Sequence, residues 1–141
     1  GKDGFLATLK GPVVQALLTY ADDRALRETV YTAYNTRASD QGPHAGQFDN
    51  SERIAQILAL RHESARLLGF PSAAHESLED KMAGTLERVL AFLRELAAKA
   101  RPVAQRELDG LRAFASAELN LPDLQPWDVA YASEKLRVAR Y

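Results

Sequence analysis

Residues 85–115 read TLERVLAFLRELAAKARPVAQRELDGLRAFA. Apolar side chains recur at Leu86, Val89/Leu90, Leu93, Leu96/Ala97, Ala100, Val103/Ala104, Leu108, Leu111 and Phe114/Ala115. The mean step of about 3.5 residues is the signature of one face of a helix, sustained for roughly 30 residues or 45 Å. Thr85 suits the cap, since its hydroxyl can accept from an amide of the first turn. Pro102 lacks an amide donor and crowds the turn before it, so a kink or break is expected near Ala98–Pro102. So long a stripe needs a partner, either residues 49–69 or the last helix. The run predicts an all-α protein.

The surrounding segments agree. On the C-terminal side, 121–126 is a short Pro-rich linker, and Pro126 to Tyr141 opens like a helix. Proline is tolerated in the first turn. Asp128 suits the positive N-terminal end, and Lys135, Arg137 and Arg140 the negative C-terminal end. No stop residue follows, and the only methionine is Met82 rather than an initiator. Both observations lead us to expect an internal piece of a longer protein. On the N-terminal side, Ser72 caps a shorter helix through Leu78 and Met82, ended by Gly84. Asp49-Asn50-Ser51-Glu52 reads as an Asx form of the capping box. The helix it opens is expected to bury Ile54, Ile57, Leu58, the stem of Arg61, Ala65 and Leu68, with Gly69 as its stop. Ser39 to Phe48 is a loop punctuated by Gly42-Pro43 and Gly46. Asp22-Asp23 begins a helix whose apolar face is Leu26, Val30, Tyr31 and Tyr34. Pro12 starts a short helix through Val14, Leu17 and Leu18. Phe5 to Leu9 is the only place for a strand, and could equally be an extended lead-in. The expected architecture is one helical subdomain, 1–141, built as a multi-helix array around one long helix.

Composition excludes several function classes. With 46% hydrophobic and 26% charged residues the chain can bury a core. The net charge is −1, with eight basic and eight acidic residues in 1–70 and ten and eleven in 71–141. Neither half offers the basic patch that nucleic acid or a membrane surface requires. There is no cysteine, hence no disulfide framework, which fits a reducing, cytoplasmic setting. No apolar run is long enough to span a bilayer.

The residues alone reveal no catalytic constellation. His62-Glu63 and His75-Glu76 invite comparison with H-E-x-x-H, in which two histidines on one helix face bind zinc. The fourth residue after His62 is Arg66, a cation, and after His75 it is Glu79. Two donors, His75 and Glu79, are too few for a tight site. Ser39, Asp40 and His44 are close in sequence, but a turn explains Ser39 and Asp40. Tyr20, Tyr31, Tyr34, Tyr131 and Tyr141 are amphipathic, as residues of peptide-binding walls often are, but helix packing with the hydroxyl at the surface is the reading they favour. Arg37 and Asp49-Asn50 read as a helix end and a cap.

These segments nevertheless resemble a known family. Gly1-Lys2-Asp3-Gly4, Thr36-Arg37-Ala38-Ser39-Asp40-Gln41-Gly42-Pro43, Ala45-Gly46 and Asp49-Asn50 are similar to the amino-terminal half of oligopeptidase A, within the thimet oligopeptidase-like zinc metallopeptidases. The resemblance continues through Ile57-Leu58-Ala59-Leu60-Arg61-His62-Glu63, Leu67-Leu68-Gly69-Phe70, Ser77-Leu78, Lys81-Met82-Ala83 and Leu111-Arg112-Ala113-Phe114-Ala115. It ends in Gln125-Pro126-Trp127-Asp128, Ala130-Tyr131 and Ser133-Glu134-Lys135. The blocks are collinear over essentially the whole chain. His44, Phe48, Ala73 and Ala132 stand where the family usually has Asn, Trp, Tyr and Tyr.

The resemblance implies a parent enzyme, a zinc metalloendopeptidase that hydrolyses short peptides. In it, zinc-bound water attacks and the Glu of an H-E-x-x-H helix acts as base. That motif lies beyond Tyr141 in the family, so no catalytic, cofactor-binding or metal residue is assigned within 1–141. The stretch would form part of the helical wall of a deep channel and be inactive alone, without bound zinc. Its partners would be short peptides and the remaining half of the parent chain, with self-association of the piece through exposed apolar faces. The alternative is a freestanding helical peptide- or protein-interaction module.

Overall fold

A computed structural model describes Gly4 and residues 6–141. Six α-helices occur among the described residues: α1 (Gly11–Tyr20), α2 (Arg24–Asn35), α3 (Ser51–Leu67), α4 (Ala73–Leu78), α5 (Leu86–Glu118) and α6 (Val129–Arg140). A 3-10 turn, Pro126–Asp128, leads into α6. Residues 6–10 form no strand. They are the lead-in that was the other expectation; Phe5 of that segment lies outside the described residues.

The helix ends follow local chemistry. Asp23 caps α2 by accepting from the Leu26 amide at 3.1 Å. Thr85 caps α5 in the same way, its hydroxyl accepting from the Arg88 amide at 3.2 Å. At the end of α3, Gly69 takes the left-handed conformation (φ +87). Its amide donates to Arg66 O at 3.1 Å and that of Phe70 to Ala65 O at 2.8 Å. Those two bonds define a Schellman stop. The start of α3 differs from expectation by one residue. Asn50, not Asp49, holds the cap position, and its side chain makes no capping bond. Instead Asn50 Oδ1 accepts from Arg53 Nη1 at 3.2 Å. The helix after Ser72 ends at Leu78, short of Met82, which is fully exposed. The break expected at Pro102 does not occur, and α5 is continuous for 33 residues. Ala98 and Pro102 are both exposed, so water can satisfy the carbonyl that the proline leaves free.

The chain divides into two compact units: Gly1–Asp49 with Glu107–Tyr141, and Asn50–Arg106. In the first, α1 packs on α2 and α6, and the 3-10 turn packs on α2. Val14 of α1 and Val30 of α2 are buried there. Leu111 and Ala115 of α5 are buried with Ala132 of α6, and Leu119, Leu121, Leu124 and Leu136 close around them. The final helix is thus the partner of the C-terminal turns of α5.

The second unit is organised differently. α3 packs on α4, and Ala65 is its one buried residue among those described. The expected burial of Ile54, Ile57, Leu58 and Leu68 is not seen, and each remains about half exposed or more (48–63%). The apolar stripe of α5 is likewise exposed at Leu90, Leu93, Leu96 and Val103. The periodicity is that of helices, which form, but periodicity does not say what covers the face.

Candidate functional site

The polar residue removed most completely from water is not among the histidines. It is Asp128, at the hinge between the 3-10 turn and α6, with 0% exposure. Its carboxylate collects charge and hydrogen bonds from three directions. Arg27 Nη2 donates to Oδ1 at 2.7 Å. Arg24 donates to Oδ2 from Nη2 at 2.8 Å and from Nε at 3.0 Å. The Gln125 amide donates to Oδ2 at 3.1 Å, which ties down the start of the turn. Burial alone would raise the Asp128 carboxyl, but Arg24, Arg27 and the Gln125 amide outweigh it and hold it below the usual carboxylate range.

Arg27 is buried as well, at 1% exposure. Its Nη1 donates to Ala21 O at 2.8 Å and to Asp22 O at 3.2 Å, capping the chain between α1 and α2. Its guanidinium lies 4.1 Å from the centroid of the Tyr131 ring. The Tyr131 hydroxyl donates to Asp22 Oδ1 at 2.8 Å, and Lys135 Nζ approaches the same oxygen at 3.4 Å. Tyr131 is shifted upward by burial and by that carboxylate, and Asp22 downward by the Tyr131 and Lys135 hydrogen bonds. Beside this cluster Tyr31 meets Trp127 edge to face, with centroids 6.1 Å apart. The result is a charged, closely bonded joint between α2 and the start of α6. Both carboxylate oxygens of Asp128 are engaged, so the joint ties α2 to the start of α6.

Tyr31 and Tyr131, singled out from sequence, belong to this joint, whereas the histidines do not. His44 Nδ1 is 3.2 Å from Gln47 Oε1. Ser39 Oγ donates to Thr36 O at 2.8 Å and accepts from the Gln41 amide, as a turn requires. His62 and Glu63 are exposed on α3. His75 Nδ1 faces Ser72 Oγ at 2.8 Å across the first turn of α4. Arg37 stacks on Tyr34 at 4.2 Å and donates to Tyr34 O and Leu9 O. Tyr20 and Tyr141 are exposed. Ala132, where the family usually carries Tyr, is fully buried against Leu111 and Ala115, so this position builds core. Ala73 and Phe48 line no such cluster. Phe48 is 64% exposed.

A shallow open depression lies in the second unit, between Phe70, Leu78 and Leu86, with His75, Glu79 and Glu87 at its edge. The Glu87 carboxyl is held below the usual range by its own backbone amide and by Thr85. Among the described residues, no three His, Cys, Asp or Glu side chains come together to hold a metal ion. The donor set therefore does not fit the zinc that the resemblance implies for the parent. No helix among the described residues is long and apolar enough to cross a membrane.

Comparison with known proteins adds a family. The family model for peptidase family M3 matches residues 17–141. Oligopeptidase A of Salmonella typhimurium is 55% identical over 140 residues, 99% of this chain and 21% of that protein. Oligopeptidase A of Escherichia coli is 54% identical over 139 residues, 99% of this chain and 20% of that protein. A more distant relative, dipeptidyl carboxypeptidase of Escherichia coli, is 33% identical over 137 residues, 97% of this chain and 20% of that protein. The chain thus spans about a fifth of the length of the curated relatives it matches.

Proposed function

Because the chain belongs to peptidase family M3, we propose that residues 1–141 form one helical subdomain of a larger, zinc-dependent oligopeptidase of the cytoplasm. In this reading they wall the channel that admits short peptides, and they contribute no catalytic or zinc-binding side chain. The observation that carries it is the identity of 54–55% to two oligopeptidases A, sustained over 99% of the chain. The Asp128 joint supports a scaffolding role, since its bonds are spent on fixing helices rather than left open. In the whole enzyme, zinc would supply the activated water. These residues would supply shape and exclusion.

The test is a replacement. The matching segment of Escherichia coli oligopeptidase A is exchanged for residues 1–141, and quenched oligopeptides are offered with and without chelator. Chelator-sensitive cleavage by the chimera, with none by residues 1–141 alone, is the expected result. A folded, zinc-loaded chimera that cannot cleave, or zinc-dependent cleavage by 1–141 alone, overturns the proposal.

The uncovered stripe on α5 favours a second reading, a freestanding helical module that binds peptides or a partner protein. The coding sequence past Tyr141 discriminates: an H-E-x-x-H segment downstream removes this alternative, and an immediate stop codon removes the first.

A further inference from the structure

One stripe runs the length of α5, but only its C-terminal end is covered. From Leu111 onward, Ala132 and Leu136 of α6 lie over it. In the second unit the same stripe continues through Val103, Leu96, Leu93 and Leu90 at 39–53% exposure. A 57-residue unit (Asn50–Arg106) in which Ala65 alone is buried among the described residues lacks a core of its own.

The edges of the stripe say what kind of cover fits. At 100° per residue, one edge carries residues 87, 94 and 101, and the other 92, 99 and 106. These are Glu87, Arg94 and Arg101, then Phe92, Lys99 and Arg106. Beyond Phe92 the residues on both edges are cationic. Lys99 already pairs with Glu95 at 2.6 Å. Arg94, Arg101 and Arg106 pair with no carboxylate among the described residues. Charges bordering an apolar helix seam select the partner. A second copy of this face packed in parallel would set the Arg94/Arg101 edge against the Lys99/Arg106 edge, which disfavours that self-pairing.

We propose that α5 between Leu86 and Ala104 is a docking seam for an amphipathic helix with Asp or Glu bordering its own apolar stripe. That helix is supplied by the part of the peptidase chain outside residues 1–141. The source of the helix rests on the oligopeptidase reading above, whereas its chemistry rests on α5 alone. Arg94 and Arg101, seven residues apart on one edge, set its register, and Leu93 and Leu96 fill its seam.

A photocrosslinking side chain, benzoylphenylalanine, at Leu93 of the chimera tests this. The expected adduct lies on a helical segment of the same chain outside 1–141, with Asp or Glu beside the labelled apolar residues. It should be lost with Arg94→Glu plus Arg101→Glu and kept with Arg94→Lys plus Arg101→Lys. An adduct within 50–68, an adduct to a second copy, or no adduct overturns the proposal, as does an adduct indifferent to the charge reversal. Peptide cleavage is measured on the same preparations. An active chimera without the adduct sinks the docking seam alone, and an inactive one that forms it sinks the oligopeptidase reading alone.

Discussion

Arg27 Nη2 donates to Asp128 Oδ1 at 2.7 Å, with both side chains out of water and 101 positions apart in the chain. Removing one partner strands the other. Asp128→Ala should destabilise the first unit by about 3–5 kcal/mol, because the Arg27 charge remains buried without its counterion. Urea denaturation followed by Trp127 fluorescence reads it directly, since Trp127 adjoins Asp128 and is the only tryptophan. A loss under about 1 kcal/mol would show that the pair does not hold the joint.

Acid should loosen the same joint. The folded carboxyl of Asp128 lies below its ordinary value, so the stability it contributes is present above the unfolded value of about 3.9 and is lost as pH falls through the folded value. Melting temperature should therefore decline below about pH 4 in the wild type and decline less steeply in Asp128→Asn. Parallel curves for the two proteins over that range would place the acid-sensitive group elsewhere.

Tyr131 separates two contributions. Tyr131→Phe removes the hydroxyl bond to Asp22 but keeps the ring beside Arg27, and should cost no more than about 1 kcal/mol. Tyr131→Ala also removes the ring and should cost about 3 kcal/mol or more. Equal losses from the two variants would assign the whole effect to the hydroxyl.

Two left-handed glycines should respond unequally to alanine. Gly69 (φ +87) has open space where a Cβ would stand, so Gly69→Ala meets only backbone strain of about 1–2 kcal/mol. At Gly42 (φ +78) the Cβ would fall 1.9 Å from Thr36 Oγ1, and that hydroxyl is itself bonded to Thr32 O at 2.7 Å. Gly42→Ala should cost more than Gly69→Ala, and Thr36→Ala should recover part of the difference. Equal melting temperatures for the two glycine variants would contradict this.

Much of the helical layout was legible because it is local. Asp23, Thr85 and Gly69 mark boundaries through bonds to residues three to five positions away. The Asp128 joint was not legible, since its partners are separated by more than 100 residues. Asp128 read as a helix-dipole residue, and nothing in the sequence singled out Arg24 or Arg27 as its partners. One signal was present: Arg27 falls on the helix face shared by Val30, Tyr31 and Tyr34, where a cation needs a buried counterion. On α3, the spacing of Ile54, Ile57, Leu58 and Leu68 announced a face. The burial of that face depends on atoms other than its own, and the spacing does not encode them.

The joint also has a consequence in time. A ribosome releases α2 with Arg27 and Val30 long before Asp128 exists, and α3, α4 and all of α5 are made in between. Closing so long a loop carries an entropic cost that local helix pairing does not. The α3–α4 pair and the α1–α2 pair can assemble as they emerge, whereas the first unit stays unlatched until the Pro126–Asp128 turn is synthesised. A nascent chain stalled before residue 126 presents an unneutralised arginine pair, Arg24 and Arg27. Order of synthesis thus sets the earliest moment at which the first unit can close its joint.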